Sequence, residues 1–571
     1  MKKYLNHPLI NPIRQKLREI PFFVNLYQRY FTDLPRDLDK PERLVKTTQN
    51  KVLNALNIKS SPLTIVLVLN ECDGVTDLSQ CKETVKSVLS QSYQRWLLIV
   101  PDSVYAEVGE MDDRIITHSD TCSVADVYIG ELYLGDCLHI HALKAFIYNI
   151  SPDTDLIYCD HDIINKMGKY NTPKYKPQWN SELAYSTFYM ANLTLYRLSL
   201  FDDLAHWLNF KSHYQRLLYV RDVASPVVKH IALILYHQLN IPKKFTDESD
   251  LAALNTHLLK YAASAEKGLL QESYKLNWPL PIIAPLVSII IPTKNGLELV
   301  KQCIDTLYSK TVYSNFEVLL VDNQSDDVEA IAYFNQLSAQ QKVRLLEYDA
   351  PFNYSAINNF AVKQAKGDLL VLLNNDVEVI SPLWLTEMVS QLMRPSIGCV
   401  GAKLYYADNT VQHAGVIVGL GRCAGHSHKL YQRTDDGYIQ RLKLVQNYTA
   451  VTAACLGIRK SVYEQVSGLN EISLAVAYND VDLCLKVKAA GYDNIWSPYI
   501  ELYHHESVSR PSDYQPEEHQ RYLSEVQYMQ KTWLLDNYID PAYSPWLTMI
   551  SEDFSEQFPS YFYVKQPIFN K

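Results

Sequence analysis

Several things are missing from this 571-residue chain, and each absence narrows what it can be. No apolar run approaches the ~18 residues of a membrane span, and the first residues lack the long apolar core of a secretion signal. The ten cysteines, at 72, 81, 122, 137, 159, 303, 399, 423, 455 and 484, form no C-x-x-C pair or other zinc spacing, so a reduced compartment is the simpler reading. Basic residues are present but not massed, and a formal charge of −9 speaks against a phosphate-backbone partner, so no nucleic acid is expected. Together these absences point to the cytoplasm. What remains is ordinary globular composition, 47% apolar and 20% charged. At roughly 150 residues per domain, the length allows about two to four domains.

The most informative stretch is Leu369-Leu370-Val371-Leu372-Leu373, which stops abruptly at Asn374-Asn375-Asp376. Such a run needs protein on both faces, as in a central strand of a parallel sheet, and ligands gather where those strands end. The pattern occurs twice upstream: Val287–Ile291 runs into Pro292-Thr293-Lys294-Asn295, and Val318–Val321 into Asp322-Asn323-Gln324-Ser325. Leu297, Val300, Ile304 and Leu307 recur at helical spacing, as do Ile357, Phe360, Ala361 and Ala365. The spacing predicts a βαβαβ unit with a ligand crevice at its carboxyl edge.

Residues 1–55 mix Lys and Arg with Phe22, Phe23, Tyr27, Tyr30 and Phe31. The mixture fits a peripheral contact with an anionic membrane face or a partner, but a solvated helical lead-in packed on the next domain is the simpler expectation. A first α/β pattern fills 56–245, with strands at Leu63–Leu69, Trp96–Val100 and Asp155–Tyr158. The stretch 246–285 reads as helical and then as a linker at Pro279, Pro281 and Pro285. A second α/β domain covers 286–510, and 511–571 reads as helix followed by aromatic wrapping structure whose rings serve packing.

Three constellations carry chemistry. Asp376, at a strand end, suits a divalent cation beside a diphosphate, though Asn374-Asn375-Asp376 also suits a turn or helix cap. Asp480 in Tyr478-Asn479-Asp480-Val481-Asp482 falls in the first turn of a helix whose apolar face is Val481, Cys484 and Leu485. There the helix dipole favours an ionised carboxylate that can act as a general base, and a capping role is the plain alternative. His504 in Tyr503-His504-His505-Glu506 is a candidate for metal or diphosphate contact, weak by itself.

Taken in order, six motifs resemble the family 2 glycosyltransferases of the rhamnosyltransferase-like, O-antigen-synthesis kind. They are Val287–Asn295, Leu320–Ser325, Phe352-Asn353-Tyr354-Ser355-Ala356-Ile357-Asn358-Asn359, Leu373–Asp376, Gln412-His413-Ala414-Gly415 and Asn479–Cys484. The resemblance implies a GT-A fold holding a nucleotide sugar, UDP-, dTDP- or GDP-linked, across the carboxyl edge of its sheet. It implies that Pro292, Thr293 and Asn295 line the nucleotide pocket, that Asp322 and Asn323 approach base and ribose, and that Asn358, Asn359 and Asn375 meet the donor. Asp376 would bind Mn2+ or Mg2+ bridging the diphosphate, with His504 as a second metal contact. Asp480 would deprotonate the acceptor hydroxyl, giving inversion at the anomeric carbon. Two departures stand out: Asn374 and Asn479 occupy positions that are usually acidic.

Residues 60–240 resemble an eroded copy of the same domain, at Ser87–Trp96, Tyr158-Cys159-Asp160-His161-Asp162, Tyr175–Trp179 and Leu235-Tyr236-His237. A base motif is replaced there by His213-Tyr214-Gln215-Arg216, so an inactive scaffold or acceptor-positioning role is expected, with Asp160 and Asp162 as the residues able to keep a metal. The whole is expected to be an α/β protein of two tandem GT-A-like doubly wound domains, the N-terminal one degenerate, with helical extensions at both ends. The acceptor class is a glycan or lipid-linked glycan, which is compatible with peripheral association at the inner face of the cytoplasmic membrane. A catalytically inactive glycan-binding or assembly subunit is the rival reading. A nucleotidyltransferase is disfavoured because Pro292-Thr293-Lys294-Asn295 is not a Gly-rich phosphate loop.

Overall fold

The computed structural model describes residues 41–58, 61–70, 78–117, 126–164, 170–239, 248–505 and 516–556. The aromatic and basic residues before 41, Cys72 and Cys122, Glu506 and Ser507, and residues 557–571 lie outside them, as do the roles expected there. Of the N-terminal extension, Pro41–Ala55 is a helix.

The first half is one mixed sheet built from β1 (Thr64–Asn70), β2 (Trp96–Val100), β3 (Ile115–Thr117), β4 (Val127–Tyr133), β5 (Cys137–Leu138), β6 (Leu156–Ile164), β7 (Tyr170–Lys174), β8 (Thr194–Arg197) and β9 (Val228–Leu239). A short hairpin follows, β10 (Ser264–Lys267) with β11 (Tyr274–Asn277). Among the described residues of 246–285, the helical reading holds for Asp250–Leu258 and the 3-10 turn Leu259–Tyr261. Beyond it the chain reverses through Gly268 and Ser273, where the Gly268 amide donates to the Ser273 carbonyl at 2.8 Å and closes the hairpin.

The second half holds β12 (Val287–Thr293), β13 (Phe316–Asp322), β14 (Arg344–Glu347), β15 (Leu369–Leu373), β16 (Val377–Val379), β17 (Ile397–Tyr405), β18 (Val411–His413), β19 (Val416–Val418), β20 (Ala424–His426), β21 (Gln446–Asn447), β22 (Cys455–Arg459) and β23 (Asp493–His504). β12 and β15 are buried along their apolar length because they sit mid-sheet, parallel to each other, with β13 parallel on the far side of β12. Their side chains alternate between two cores: Val287, Ile289, Ile291, Leu369, Val371 and Leu373 enter one, Ile290, Leu370 and Leu372 the other. The helix Leu297–Lys310 covers one face through Val300, Cys303, Ile304 and Leu307. Burying each such aliphatic chain contributes about 1.5–3 kcal/mol.

The two sheets have the same topology. The first runs β3-β2-β1-β4-β8-β6-β9-β5 with β7 on β6, and the second runs β14-β13-β12-β15-β22-β17-β23-β16 with β18 on β17 and, as an addition, β21 on β23. Matched pairs agree in sense: β6 with β9 and β17 with β23 are parallel, while β5 with β9 and β16 with β23 are antiparallel. The chain thus consists of two tandem doubly wound α/β halves.

The halves share a core. One apolar cluster contains Ile65, Leu98 and Leu233 from the first half, Leu370 and Trp496 from the second, and Tyr543, Trp546 and Phe554 from the C-terminal segment. Polar bonds cross the same boundary: Arg394 grips Glu182 at 2.8 and 2.6 Å, and Asn180 and Asn447 exchange two bonds of 2.9 Å. After the helix Pro516–Thr532, the tail seats the Trp546 indole against the first half, donating to the Ala232 carbonyl. No helix among the described residues is long and apolar enough to cross a membrane.

Candidate active site

The carboxyl ends of β12, β13 and β15 bring the predicted polar clusters to one sheet edge. Asp376 follows β15 directly and precedes β16, which pairs with the end of β23 so that Val377 faces His504. This register sets the His504 Nε2 at 3.1 Å from the Asp376 Oδ1, with both residues largely buried. The other ring nitrogen, Nδ1, meets the Gln412 Oε1 at 2.6 Å, and the Asn374 amide nitrogen lies 3.1 Å from Nε2.

Asp480 lies in the first turn of the helix Asn479–Ala489, two residues after Tyr478, whose left-handed backbone (φ 60) is uncommon for a non-glycine residue. Two carboxylates share that first turn and part ways. Asp482 is buried, accepting from the Trp533 indole at 3.0 Å and meeting the Lys486 ammonium at 3.1 Å. Asp480 stays partly exposed, and its Oδ2 accepts the Ala453 amide at 2.9 Å.

Residues 453 and 454 link Asp480 to the end of β15, just before Asp376. The Ala453 amide is held by Asp480, while the Ala454 carbonyl accepts from the Asn374 amide at 3.1 Å. The Tyr354 hydroxyl stands between the Ala453 carbonyl at 3.2 Å and the Asn374 Oδ1 at 3.3 Å. Asp480 and Asn374, the residue two before Asp376, are therefore tied to neighbouring residues of one short segment.

Asn375 faces the sheet edge and donates to the Thr293 hydroxyl at 2.9 Å, linking β15 to β12. Pro292 is half-buried at the end of β12. Asp322 accepts the Ser325 amide at 3.1 Å. Four amides of the expected donor set are engaged inside the protein. Asn295 donates to Asp326 at 2.7 Å and accepts the Asp326 and Asp327 amides, fixing the turn after β13. Asn323 donates to the carbonyls of Tyr348 and Ala350. Asn358 is enclosed and donates to the Tyr354 carbonyl at 2.8 Å, and Asn359 bonds Leu469 and the Tyr463 hydroxyl.

A carboxylate oxygen and an imidazole nitrogen 3.1 Å apart make a donor pair suited to Mn2+, which accepts both, better than to Mg2+, which favours oxygen alone. Among the described residues no group of three His, Cys, Asp or Glu could hold a metal, so a cation here would complete its shell with water and substrate oxygens. The residues present fit that role.

The first half corrects the expectation about its own acids. Just as Val377 pairs with His504, Cys137 pairs with His237, so the counterpart of Asp376 is Asp136 and not Asp160 or Asp162. Asp136 is fully buried and accepts from the Tyr236 hydroxyl and from the Leu239 amide at 2.8 Å. Asp160 sits within β6 against His230 and the Lys176 amide, each at 2.8 Å, and Asp162 pairs with the His237 Nδ1 at 2.6 Å. The helix matching Asn479–Ala489 is His213–Val223, which puts the buried Tyr214 at the position of Asp480. Beside it, Glu131 is closed in with His213 at 2.6 Å and Arg216 at 2.7 Å. Burial pushes the Glu131 carboxyl up, yet the adjacent His213 and Arg216 charges outweigh it and hold the group well below the usual carboxylate range.

Topology, strand-edge acids and the acid on the following helix define the second half as a GT-A-like domain. Residues 288–467 match the family model described as Glycosyl transferase family 2, so the second half carries a domain of that family. The chain is 39% identical over 513 residues to the uncharacterised protein y4gI of Sinorhizobium fredii, across 83% of this chain and 56% of that protein. It is 33% identical over 513 residues to the O-antigen biosynthesis protein RfbC of Myxococcus xanthus, across 83% of this chain and 39% of RfbC. The chain thus spans about half or less of the length of these relatives. Among solved structures, the mannosyltransferase PcManGT from Pyrobaculum calidifontis, in complex with GDP-Man and Mn2+, is similar at 17% identity with a TM-score of 0.34, over 47% of this chain and 70% of that one.

Proposed function

We propose that the second half transfers a sugar from a nucleotide-activated donor to a glycan or lipid-linked glycan, with inversion, in surface polysaccharide synthesis. The name of the Myxococcus relative supports the pathway class. The observation that supports the reading is that adjacent residues 453 and 454 bond Asp480 and Asn374, the residue two before Asp376, so the partly exposed Asp480 lies near the strand end that carries Asp376.

In this reading Asp376 and His504 hold a divalent cation, which when bound would offset charge on the leaving diphosphate. Thr293 and Asn375 hold the strand ends in register against the donor. Asp480 accepts the proton of the acceptor hydroxyl at its carboxylate while the Ala453 amide fixes its orientation, an alignment that raises the local concentration of reacting groups. The enclosed Asp136 and the replacement of an acid by Tyr214 support a non-catalytic first half. A cytoplasmic location, at the inner membrane face where the acceptor is lipid-linked, belongs to the same proposal.

The test is hydrolysis and transfer from a panel of UDP-, dTDP- and GDP-sugars with and without Mn2+, with proton NMR of the product anomer. The reading requires Mn2+-dependent turnover that is lost in Asp376→Ala and Asp480→Asn and an inverted product; turnover unchanged in both variants would remove it.

A further inference from the structure

The motif Gln412-His413-Ala414-Gly415 has no role in the scheme so far, yet Gln412 is buried against His504. Its amide makes two bonds to that residue. The nitrogen donates to the His504 backbone carbonyl at 3.3 Å, and the oxygen lies 2.6 Å from Nδ1. A backbone carbonyl can only accept, so the amide nitrogen must face it and the oxygen must face the ring. Opposite an acceptor oxygen, Nδ1 carries the proton. Nε2 is then the ring atom left facing the Asp376 Oδ1 and the Asn374 amide nitrogen, each at 3.1 Å, and that amide nitrogen can donate to it. Asn374 in turn is oriented by the Tyr354 hydroxyl at its Oδ1.

We propose that Gln412 is a positioning residue of the cation site, fixing His504 in the Nδ1–H form so that its Nε2 lone pair stands beside the Asp376 carboxylate. The inference rests on the cation reading above and goes beyond it by naming what prepares the site. It also gives Asn374 a role as a donor that keeps Nε2 an acceptor, in place of a ligand. The first half supplies the contrast: there His237, at the matching register, meets the Asp162 carboxylate at 2.6 Å, and Asp136 is occupied by Tyr236 and Leu239. The imidazole survives in the copy, but there it meets a carboxylate in place of a neutral amide.

Outer partners of this kind typically contribute roughly 10- to 100-fold to metal affinity. The experiment titrates Mn2+ into the full chain in separate series with UDP, GDP and dTDP, reading free Mn2+ by electron paramagnetic resonance, for wild type, Gln412→Leu, His504→Ala and the double variant. Gln412→Leu should weaken Mn2+ binding by about 10- to 100-fold, and should have no further effect in the His504→Ala background, because Gln412 acts through that ring. Equal loss in both backgrounds, or no loss in either, would overturn the proposal. Should Gln412→Leu not fold, nitrogen-15 NMR of histidine-labelled wild type decides: a proton on Nδ1 of His504 supports the proposal and a proton on Nε2 overturns it. Wild type that binds no Mn2+, or Asp376→Ala that binds it equally, would remove the cation reading itself and the proposal with it. A wrong tautomer with intact, Asp376-dependent Mn2+ binding removes the Gln412 role alone.

Discussion

The Oδ2 of Asp480 accepts the Ala453 amide at 2.9 Å, so the carboxylate has a fixed orientation while remaining partly exposed. An asparagine there can still accept that amide through its own oxygen. Asp480→Asn should therefore keep its melting temperature while transfer falls by roughly 10^2- to 10^4-fold, the contribution typical of a positioned base. Differential scanning calorimetry and initial rates on one preparation check both halves of this expectation.

Asp482, two residues on, should behave oppositely. It is buried and accepts from the Trp533 indole at 3.0 Å. Truncation in Asp482→Ala leaves that donor without its acceptor and should cost about 1–3 kcal/mol of stability. Urea titration should register the loss, with KM for the donor unchanged in the folded fraction.

Metal removal gives a third outcome. With Asp376 and His504 as the protein's ligands, the chelator EDTA should abolish donor turnover and Mn2+ should restore it. Restoration should be more efficient with Mn2+ than with Mg2+, because an imidazole nitrogen is part of the pair. Equal activity in EDTA would contradict the assignment.

In the first half, Glu131 predicts a pH response. Its carboxyl is held below the ordinary range in the folded protein by His213 and Arg216, which outweigh burial. A depressed acid stabilises fully above its unfolded value of about 4.3, and that contribution is lost as pH falls below it. The stability gap between wild type and Glu131→Gln, followed by urea melts from neutral pH downward, should shrink on acidification. A gap that widened toward low pH would reverse the sign and refute the pairing.

The enclosed Asp136 is expected to be silent in catalysis. Since its oxygens are engaged by Tyr236 and Leu239, Asp136→Asn should leave kcat for transfer unchanged while lowering the melting temperature. A loss of kcat with intact stability would return chemistry to the first half.

Much of this arrangement was legible before any coordinates. The apolar runs of β12, β13 and β15 marked central strands, because burial on both faces explains the five consecutive aliphatic residues of β15 and the shorter runs of its neighbours, and their polar ends located the candidate site. β14 and the preceding helix Val328–Ala339 were not legible, since Arg344–Glu347 is a short edge strand with little apolar content. The hairpin β10–β11 was read as helix because its residues are polar and carry no strong period. Asp136 escaped notice for another reason: its likeness to Asp376 lies in strand pairing, Cys137 opposite His237 and Val377 opposite His504, and the residues around the two acids differ. The internal engagement of Asn295, Asn323, Asn358 and Asn359 was hidden likewise, because an amide in a loop can serve a ligand or a neighbouring backbone with the same sequence. The separation of Asp480 from Asp482 depends on where Trp533 returns, some fifty residues on.

The most direct test of the central claim is a crystal structure of the Asp480→Asn protein with Mn2+ and the donor selected by the panel, using anomalous scattering to locate the metal. The account predicts an anomalous peak at coordination distance from the Asp376 carboxylate and the His504 Nε2, touching the diphosphate, with the anomeric carbon turned toward residue 480. A metal bound away from Asp376, or a sugar whose anomeric carbon faces away from that helix, would contradict it.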